Sequence, residues 1–122
     1  MRFRAFLAAL LLILAAVVVL AQGPRVDLIH LDPQPAISAG CPAHVHFSGR
    51  IRTTGPMEVE YQWLRSDGAH TQYTLRFNRA STQNISTNWS LSSRYDGWMQ
   101  LVILSPTKMQ TAKTSFTVNC GK

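Results

Sequence analysis

The most regular stretch of the sequence is MEVEYQWLR, Met57–Arg65, where apolar and polar side chains alternate. In an extended chain Val59, Tyr61 and Trp63 share one face, and the two glutamates and the glutamine share the other. A period of two residues is typical of a strand with one face in the core and one in water. We therefore predict a strand here, with the Trp63 side chain buried.

A tight turn is expected directly after this strand. The tetrapeptide SDGA, Ser66–Ala69, contains Asp-Gly, which tolerates the positive φ that short hairpin turns require. The next strand, His70–Asn78, is therefore expected to pair antiparallel with the preceding one. One of its faces carries Thr71, Tyr73, Leu75 and Phe77.

Five other stretches alternate in the same way or form short apolar runs between turn residues. They are Val26–Leu31, Cys41–Thr53, Ile85–Leu91, Trp98–Leu104 and Ala112–Cys120. Pro33 and Pro35 follow the first of them, and proline lacks the N–H that a central strand donates, so we place this strand at a sheet edge. Seven strands in about 100 residues, with regularly spaced turns and a tryptophan in the third, predict an all-β, two-sheet antiparallel sandwich.

The stretch Trp98–Leu104 is apolar apart from Gln100, which predicts that both of its faces are covered. The alternation does not decide which face meets the core. Two sets of side chains compete for it: Trp98, Val102 and Leu104, or Met99, Leu101 and Ile103.

Several motifs of this chain occur together in a known class of domain. The third strand VEYQW at 59–63, the segment 85–101, and DGW at 96–98, where a sixth strand begins, resemble immunoglobulin-like domains. A wider set resembles immunoglobulin-like modules of exported bacterial proteins over residues 41–120. It comprises Cys-Pro at 41–42, FSGRI at 47–51, Gly-Pro at 55–56, YQWLRSDGA at 61–69, LSP at 104–106 and FTVNC at 116–120. The resemblance implies an immunoglobulin-like sandwich but no particular activity, because that fold carries many functions. Antibody-type domains place their second cysteine on the sixth strand, whereas here it ends the seventh.

The first 21 residues have the composition of a secretory signal. Two arginines supply positive charge, Ala5–Leu20 is an unbroken apolar run, and small residues precede a cleavage position after Ala21. The run has 16 residues, short of the roughly 20 that span a bilayer, which favours a cleaved signal. We expect a signal peptide at 1–21, one domain at 22–122, and a secreted or periplasmic location. An uncleaved segment that anchors the chain to the membrane is the alternative.

Export also bears on the two cysteines. In an oxidising compartment an even number of cysteines pairs most simply, so we predict a disulfide between Cys41 and Cys120. Closing so long a loop stabilises a fold by roughly 4 kcal/mol on the chain-entropy model. Free thiols or half of a metal site are less favoured, because neither cysteine has another at ligand spacing.

A line of polar side chains lies on the outward face of the predicted strand Cys41–Thr53. It consists of His44, His46, Ser48, Arg50 and Arg52 and contains no acid. At about 3.3 Å per residue the line is roughly 26 Å long. We treat His44, His46, Arg50 and Arg52 as a candidate anion-binding row for an envelope glycan or a membrane surface. A solvated face without a ligand is the alternative.

The pair His44 and His46 also has a spacing that suits copper or zinc, since both rings leave the same face of a strand. The same His-Val-His occurs in copper-zinc superoxide dismutases, but the further ligands of that site have no counterparts here. Serines are numerous, yet none lies in Gly-x-Ser-x-Gly. We therefore predict no catalytic residues, no resident metal and no cofactor.

These features together indicate an exported, non-enzymatic interaction or structural module of the cell envelope. Without the signal the chain keeps ten basic and six acidic residues, a balance too modest to indicate nucleic-acid binding. The expected partner is an envelope protein, or an anionic glycan or membrane surface, and the sequence indicates no small-molecule ligand. Two other functions stay open. One is a periplasmic copper- or zinc-binding domain built on His44 and His46, and the other is an inhibitor of an extracellular enzyme.

Overall fold

The structure is a computed structural model that describes residues 23–33, 37–39 and 41–120. The expected signal peptide, 1–21, lies outside these ranges. Within them the chain forms nine strands: β1 (Val26–Leu31), β2 (Ile37–Ala39), β3 (Ala43–Thr53), β4 (Met57–Arg65), β5 (His70–Phe77), β6 (Ser81–Leu91), β7 (Tyr95–Ser105), β8 (Met109–Gln110) and β9 (Thr114–Cys120). None of the described residues belongs to a helix long and apolar enough to cross a membrane.

The strands form two sheets that pack face to face. The smaller sheet has the order β1-β3-β6, and the larger has the order β2-β9-β7-β4-β5, with β8 paired to β7. All pairings are antiparallel except that of β2 with β9. Two sheets packed face to face form a sandwich, so the all-β, two-sheet prediction is confirmed.

Most predicted strands are found with small shifts at their ends. β1 and β4 have the predicted bounds, and β1 lies at a sheet edge as expected. The hairpin after β4 is also confirmed, with Gly68 at φ +88°. β6 and β7 begin earlier than predicted, at Ser81 and Tyr95. The short strands β2 and β8 were not predicted, because two or three residues are too few to show a period.

The core lies between the two sheets. Its fully buried side chains are Val45, Phe47, Ile51, Val59, Phe77, Met99, Leu101, Ile103 and Val118. Phe116 of β9 joins the sheets through aromatic contacts. Its ring centroid is 5.4 Å from that of Phe47 and 5.2 Å from that of Trp89, both in edge-on geometry. Such contacts add to the free energy gained from burying the rings.

The question of which face of β7 meets the core is settled. Met99, Leu101 and Ile103 point inward with at most 1% exposure. The opposite face is covered too, since Gln100 and Val102 are buried. The Gln100 amide Nε2 donates a hydrogen bond of 2.8 Å to the carbonyl oxygen of Thr111, which satisfies this buried polar group.

The DGW motif fixes the start of β7 against the β4–β5 hairpin. Ser66 Oγ accepts a hydrogen bond of 3.1 Å from the Trp98 N–H and lies 2.9 Å from Tyr95 Oη. A Cβ atom on Gly97 would lie 2.3 Å from the Tyr95 ring and 2.7 Å from Ser66 Oγ. Glycine is therefore required here because any side chain would displace the tyrosine.

Replacing Trp63 tests the packing of the two sheets. The indole is 2% exposed, and its Nε1–H has no hydrogen-bond partner within the described ranges. Trp63→Ala should lower the free energy of unfolding by roughly 3–5 kcal/mol, since it empties the largest side chain of β4. Trp63→Phe should cost less than half of that, because it keeps a ring and removes a buried, unpaired N–H.

Chemical denaturation measures both changes. The matched control is Trp98→Ala, which removes a half-buried indole from the outer face. There Lys113 Nζ lies 4.1 Å from the centroid of the indole ring. Trp98→Ala should lower the free energy of unfolding by clearly less than Trp63→Ala does. Equal losses at both positions would contradict the assignment of inner and outer faces.

Candidate functional site

The outer face of the smaller sheet carries the predicted row. His44, His46, Arg50 and Arg52 of β3 are exposed, as the alternation predicts, and Ser48 is half-buried between them. β6 lies alongside and places Ser90, Asn88, Ser86, Asn84 and Thr82 directly opposite these five residues. We call these ten residues the polar ladder. The sequence did not reveal the five β6 residues of the polar ladder, because the pairing of β3 with β6 joins distant parts of the chain.

The two histidines of the polar ladder are held by their cross-strand partners. His44 Nδ1 lies 2.8 Å from Ser90 Oγ, and His46 Nδ1 lies 2.9 Å from Asn88 Oδ1. Since an amide oxygen only accepts hydrogen bonds, the Nδ1 atom of His46 carries the hydrogen. Both rings therefore turn Nε2 toward solvent, which fixes the atom that is free to meet a ligand.

The arginine end of the polar ladder is partly neutralised by β1. Asp27 Oδ1 accepts a hydrogen bond of 2.9 Å from Arg52 Nε, and Asp32 Oδ2 accepts one of 2.6 Å from Ser48 Oγ. The row read from β3 alone contains no acid, so these carboxylates could not be predicted from it. Near neutral pH the face thus combines two arginines with two carboxylates.

Asp32 stays ionised in this arrangement. The hydrogen bond from Ser48 holds the pKa of its carboxyl below the usual value, and the charges of His30 and Arg50 add to the effect. His30 Nε2 lies 3.0 Å from Asp32 Oδ1. The fixed charges of the face, two arginines and two carboxylates, therefore nearly cancel.

His30, Asp32 and Ser48 contain the residue types of a hydrolase triad, but their order is different. In such a triad the imidazole contacts the serine oxygen and the carboxylate orients the imidazole. Here the carboxylate lies between the other two groups, and Ser48 Oγ donates a hydrogen bond to Asp32 Oδ2. This cluster therefore cannot activate the serine through histidine, and it gives no support to hydrolytic chemistry.

The copper or zinc alternative finds few ligands around His44 and His46. Their nearest polar partners are a serine and an asparagine, which are poor ligands for these metals. In the ranges 23–33, 37–39 and 41–120 there is no group of three His, Cys, Asp or Glu side chains that could hold a metal ion. His70, the remaining histidine, lies on β5 in the other sheet.

The backbone brings the two cysteines toward each other. β2 pairs with β9 so that Ala39 lies opposite Cys120, and Cys41 follows two residues after Ala39. No cysteine in the described part of the chain is free. The Cys120 side chain lies outside what the structure describes, so the Cys41–Cys120 bond stays a prediction that the strand register supports.

Fold and face together define a two-sheet β-sandwich with a polar, histidine-bearing surface on its smaller sheet. No family model matches the chain. The curated proteins give no match to it either.

The predicted disulfide can be tested by removing both sulfur atoms. The double change Cys41→Ser with Cys120→Ser should lower the free energy of unfolding by roughly 4 kcal/mol, because the unfolded chain regains the freedom that the closed loop denies it. Thermal melting with and without a reductant gives the measurement. The parent protein in reductant should melt like the double variant in buffer. Alkylation of both cysteines in unreduced parent protein would show that the bond is absent.

Proposed function

We propose that this chain is an exported, non-enzymatic interaction module of the cell envelope, of immunoglobulin-like type, which binds an anionic polymer through the polar ladder. The observation that carries the proposal is the grouping of His44, His46, Arg50 and Arg52 on one exposed face of the smaller sheet. The signal-like segment at 1–21 and the even number of cysteines support export. The resemblance over residues 41–120 supports the same class of protein.

The geometry of the polar ladder suits an extended ligand. Outward side chains on one strand are spaced at about 6.6 Å, and neighbouring strands lie about 4.8 Å apart. Cationic groups along β3 therefore form a line beside the hydroxyl and amide groups of β6. A chain of repeated anionic groups, such as an envelope glycan, can meet several of them at once. Each contact is weak in water, so binding depends on their number.

The affinity for an anionic polymer should depend on pH, because the charge of the face does. Histidine side chains as a class gain their proton between about pH 7.5 and 5.5. The negative charges of Asp27 and Asp32 reduce the attraction to a polyanion, while Arg50 and Arg52 carry permanent positive charge. Mild acid therefore makes a face that carries histidines more positive, and attraction to a polyanion rises.

Binding of heparin, a sulfated glycan, provides the test. At low ionic strength we expect the affinity at pH 5.5 to exceed that at pH 7.5 by roughly tenfold, because histidine side chains gain positive charge over this range. Raising the salt concentration should weaken binding, because exposed charges are screened beyond about 8 Å at physiological ionic strength. Titration calorimetry measures both effects.

Paired variants locate the site. His44→Gln with His46→Gln should remove most of the gain in mild acid, and Arg50→Ser should weaken binding at both pH values. His70→Gln is the matched control, because it removes an exposed histidine from the other sheet. An affinity that ignores pH, or that survives unchanged in the His44/His46 variant, would show that the polar ladder is only a solvated face.

A further inference from the structure

β5 forms one edge of the larger sheet, and little of the described part of the chain covers it. Tyr73 lies directly opposite Tyr61, so both side chains point to the inner face, where their rings stack at 5.5 Å. Tyr61 is 7% exposed, whereas Tyr73 is 44% exposed. Along β5 only Phe77 is buried and Leu75 is half-buried. The smaller sheet has three strands, and it does not reach over the inner face of β5.

The hairpin hydrogen bonds show which backbone groups of β5 are unpaired by β4. Arg65 N–H donates to the carbonyl oxygen of Ala69 at 2.9 Å, so these two residues form a bonded pair. Bonded and non-bonded pairs alternate in an antiparallel ladder. The odd-numbered residues of β5 therefore bond to β4, and the even-numbered ones direct N–H and C=O to the free edge. Those residues are His70, Gln72, Thr74 and Arg76.

An independent contact agrees with this assignment. The Gln83 amide Nε2 donates a hydrogen bond of 3.0 Å to the carbonyl oxygen of Arg76, which it can reach only from outside the β4–β5 pair. The edge groups of His70, Gln72 and Thr74 lie on the same side.

β5 has few of the features that commonly protect an edge strand. It has eight residues without proline or lysine, and its register with β4 has no bulge. β1, an edge of the smaller sheet, has a bulge between Val26 and Leu28, and Pro33 follows it. β6, the other edge, has polar side chains outside and the buried Ile85 and Trp89 inside, so pairing there would bury little apolar surface. The exposed tyrosine gives β5 a large apolar side chain to bury against a partner, which the described residues of β1 and β6 do not offer.

We propose that two copies of this chain associate by antiparallel pairing of their β5 strands, which joins the two larger sheets into one. A two-fold axis perpendicular to a sheet places identical strands antiparallel and keeps each side chain on its own face. With the axis at Thr74, Tyr73 meets the partner's Leu75 on the inner face, and this pair occurs twice. On the outer face Gln72 meets the partner's Arg76, whose carbonyl oxygen exchanges the Gln83 amide for the backbone N–H of Gln72.

Charge favours a second copy at this edge. Arg76 is the one residue of β5 with a permanent charge, and its Nη1 atom lies 3.2 Å from Glu58 Oε1. Two basic chains can therefore meet here without repulsion between uncompensated charges. A single strand pair is a small interface, so the association is weak and concentration-dependent.

Sedimentation equilibrium of the full exported chain tests the pairing. From about 10 μM to 1 mM we expect a rising fraction of dimer, as for interfaces of this size. Thr74→Pro should abolish the dimer, because proline removes the edge N–H at the axis while Thr74 makes no bond to β4 through that group. The matched control is Ser86→Pro on β6, whose N–H also points to a free edge, since Ser86 lies opposite Ser48 and the Ser48 carbonyl bonds to Asp32 N–H. This variant should dimerise like the parent.

A second variant guards against a loss of folding in Thr74→Pro. Tyr73→Ser leaves the backbone unchanged and removes the exposed ring, so it should weaken the dimer at least tenfold while the melting temperature confirms the fold. A parent chain that stays monomeric at 1 mM would overturn the proposal. So would a dimer that persists in both β5 variants, or one that only Ser86→Pro removes. Heparin binding through the polar ladder should not change in the β5 variants, which separates this proposal from the proposed function.

Discussion

Packing between two sheets of unequal width is the constraint on which the other features of this molecule depend. Three strands, β1, β3 and β6, cover a sheet whose path contains five. Burial is therefore complete along β4 and β7, where Val59, Leu101 and Ile103 have no exposure, and it fails along most of β5. Because burial of apolar surface is the main favourable term in folding, the central strands hold the sandwich together. The inner face of β5 is therefore largely exposed to solvent.

The same arrangement separates two surfaces of different chemistry. The polar ladder lies on the outer face of the smaller sheet, where histidine, arginine, serine and asparagine side chains pair across β3 and β6. The edge of β5 belongs to the larger sheet and offers backbone hydrogen bonds beside one exposed tyrosine. An anionic polymer suits the polar ladder, and the β5 strand of a second copy suits the edge of β5. Both could be occupied at once, because they lie on different sheets.

Local pattern was enough to predict much of this fold. The period of two residues in MEVEYQWLR placed β4 and the buried Trp63, and Asp-Gly placed the hairpin, because both depend on neighbouring residues alone. The outward positions of His44, His46, Arg50 and Arg52 followed in the same way. Contacts that depend on pairing between strands far apart in the sequence could not be predicted. Asp27 and Asp32 reach the row only through the pairing of β1 with β3, and the inward face of β7 depends on both neighbouring sheets. The exposure of Tyr73 depends on the width of the opposite sheet, which no stretch of β5 encodes.

Hydrogen exchange of the backbone amides along β5 tests most directly the claim that this strand is the bare edge of the wider sheet. In dilute solution, where two copies do not pair, we predict an alternation. The amides of Thr71, Tyr73 and Leu75, which bond to β4, should be protected, and those of Gln72 and Thr74 should exchange rapidly with solvent. Uniform protection along His70–Phe77 would show that another part of the chain covers the edge. Uniformly rapid exchange would show that β5 does not pair with β4, and either result would contradict the account.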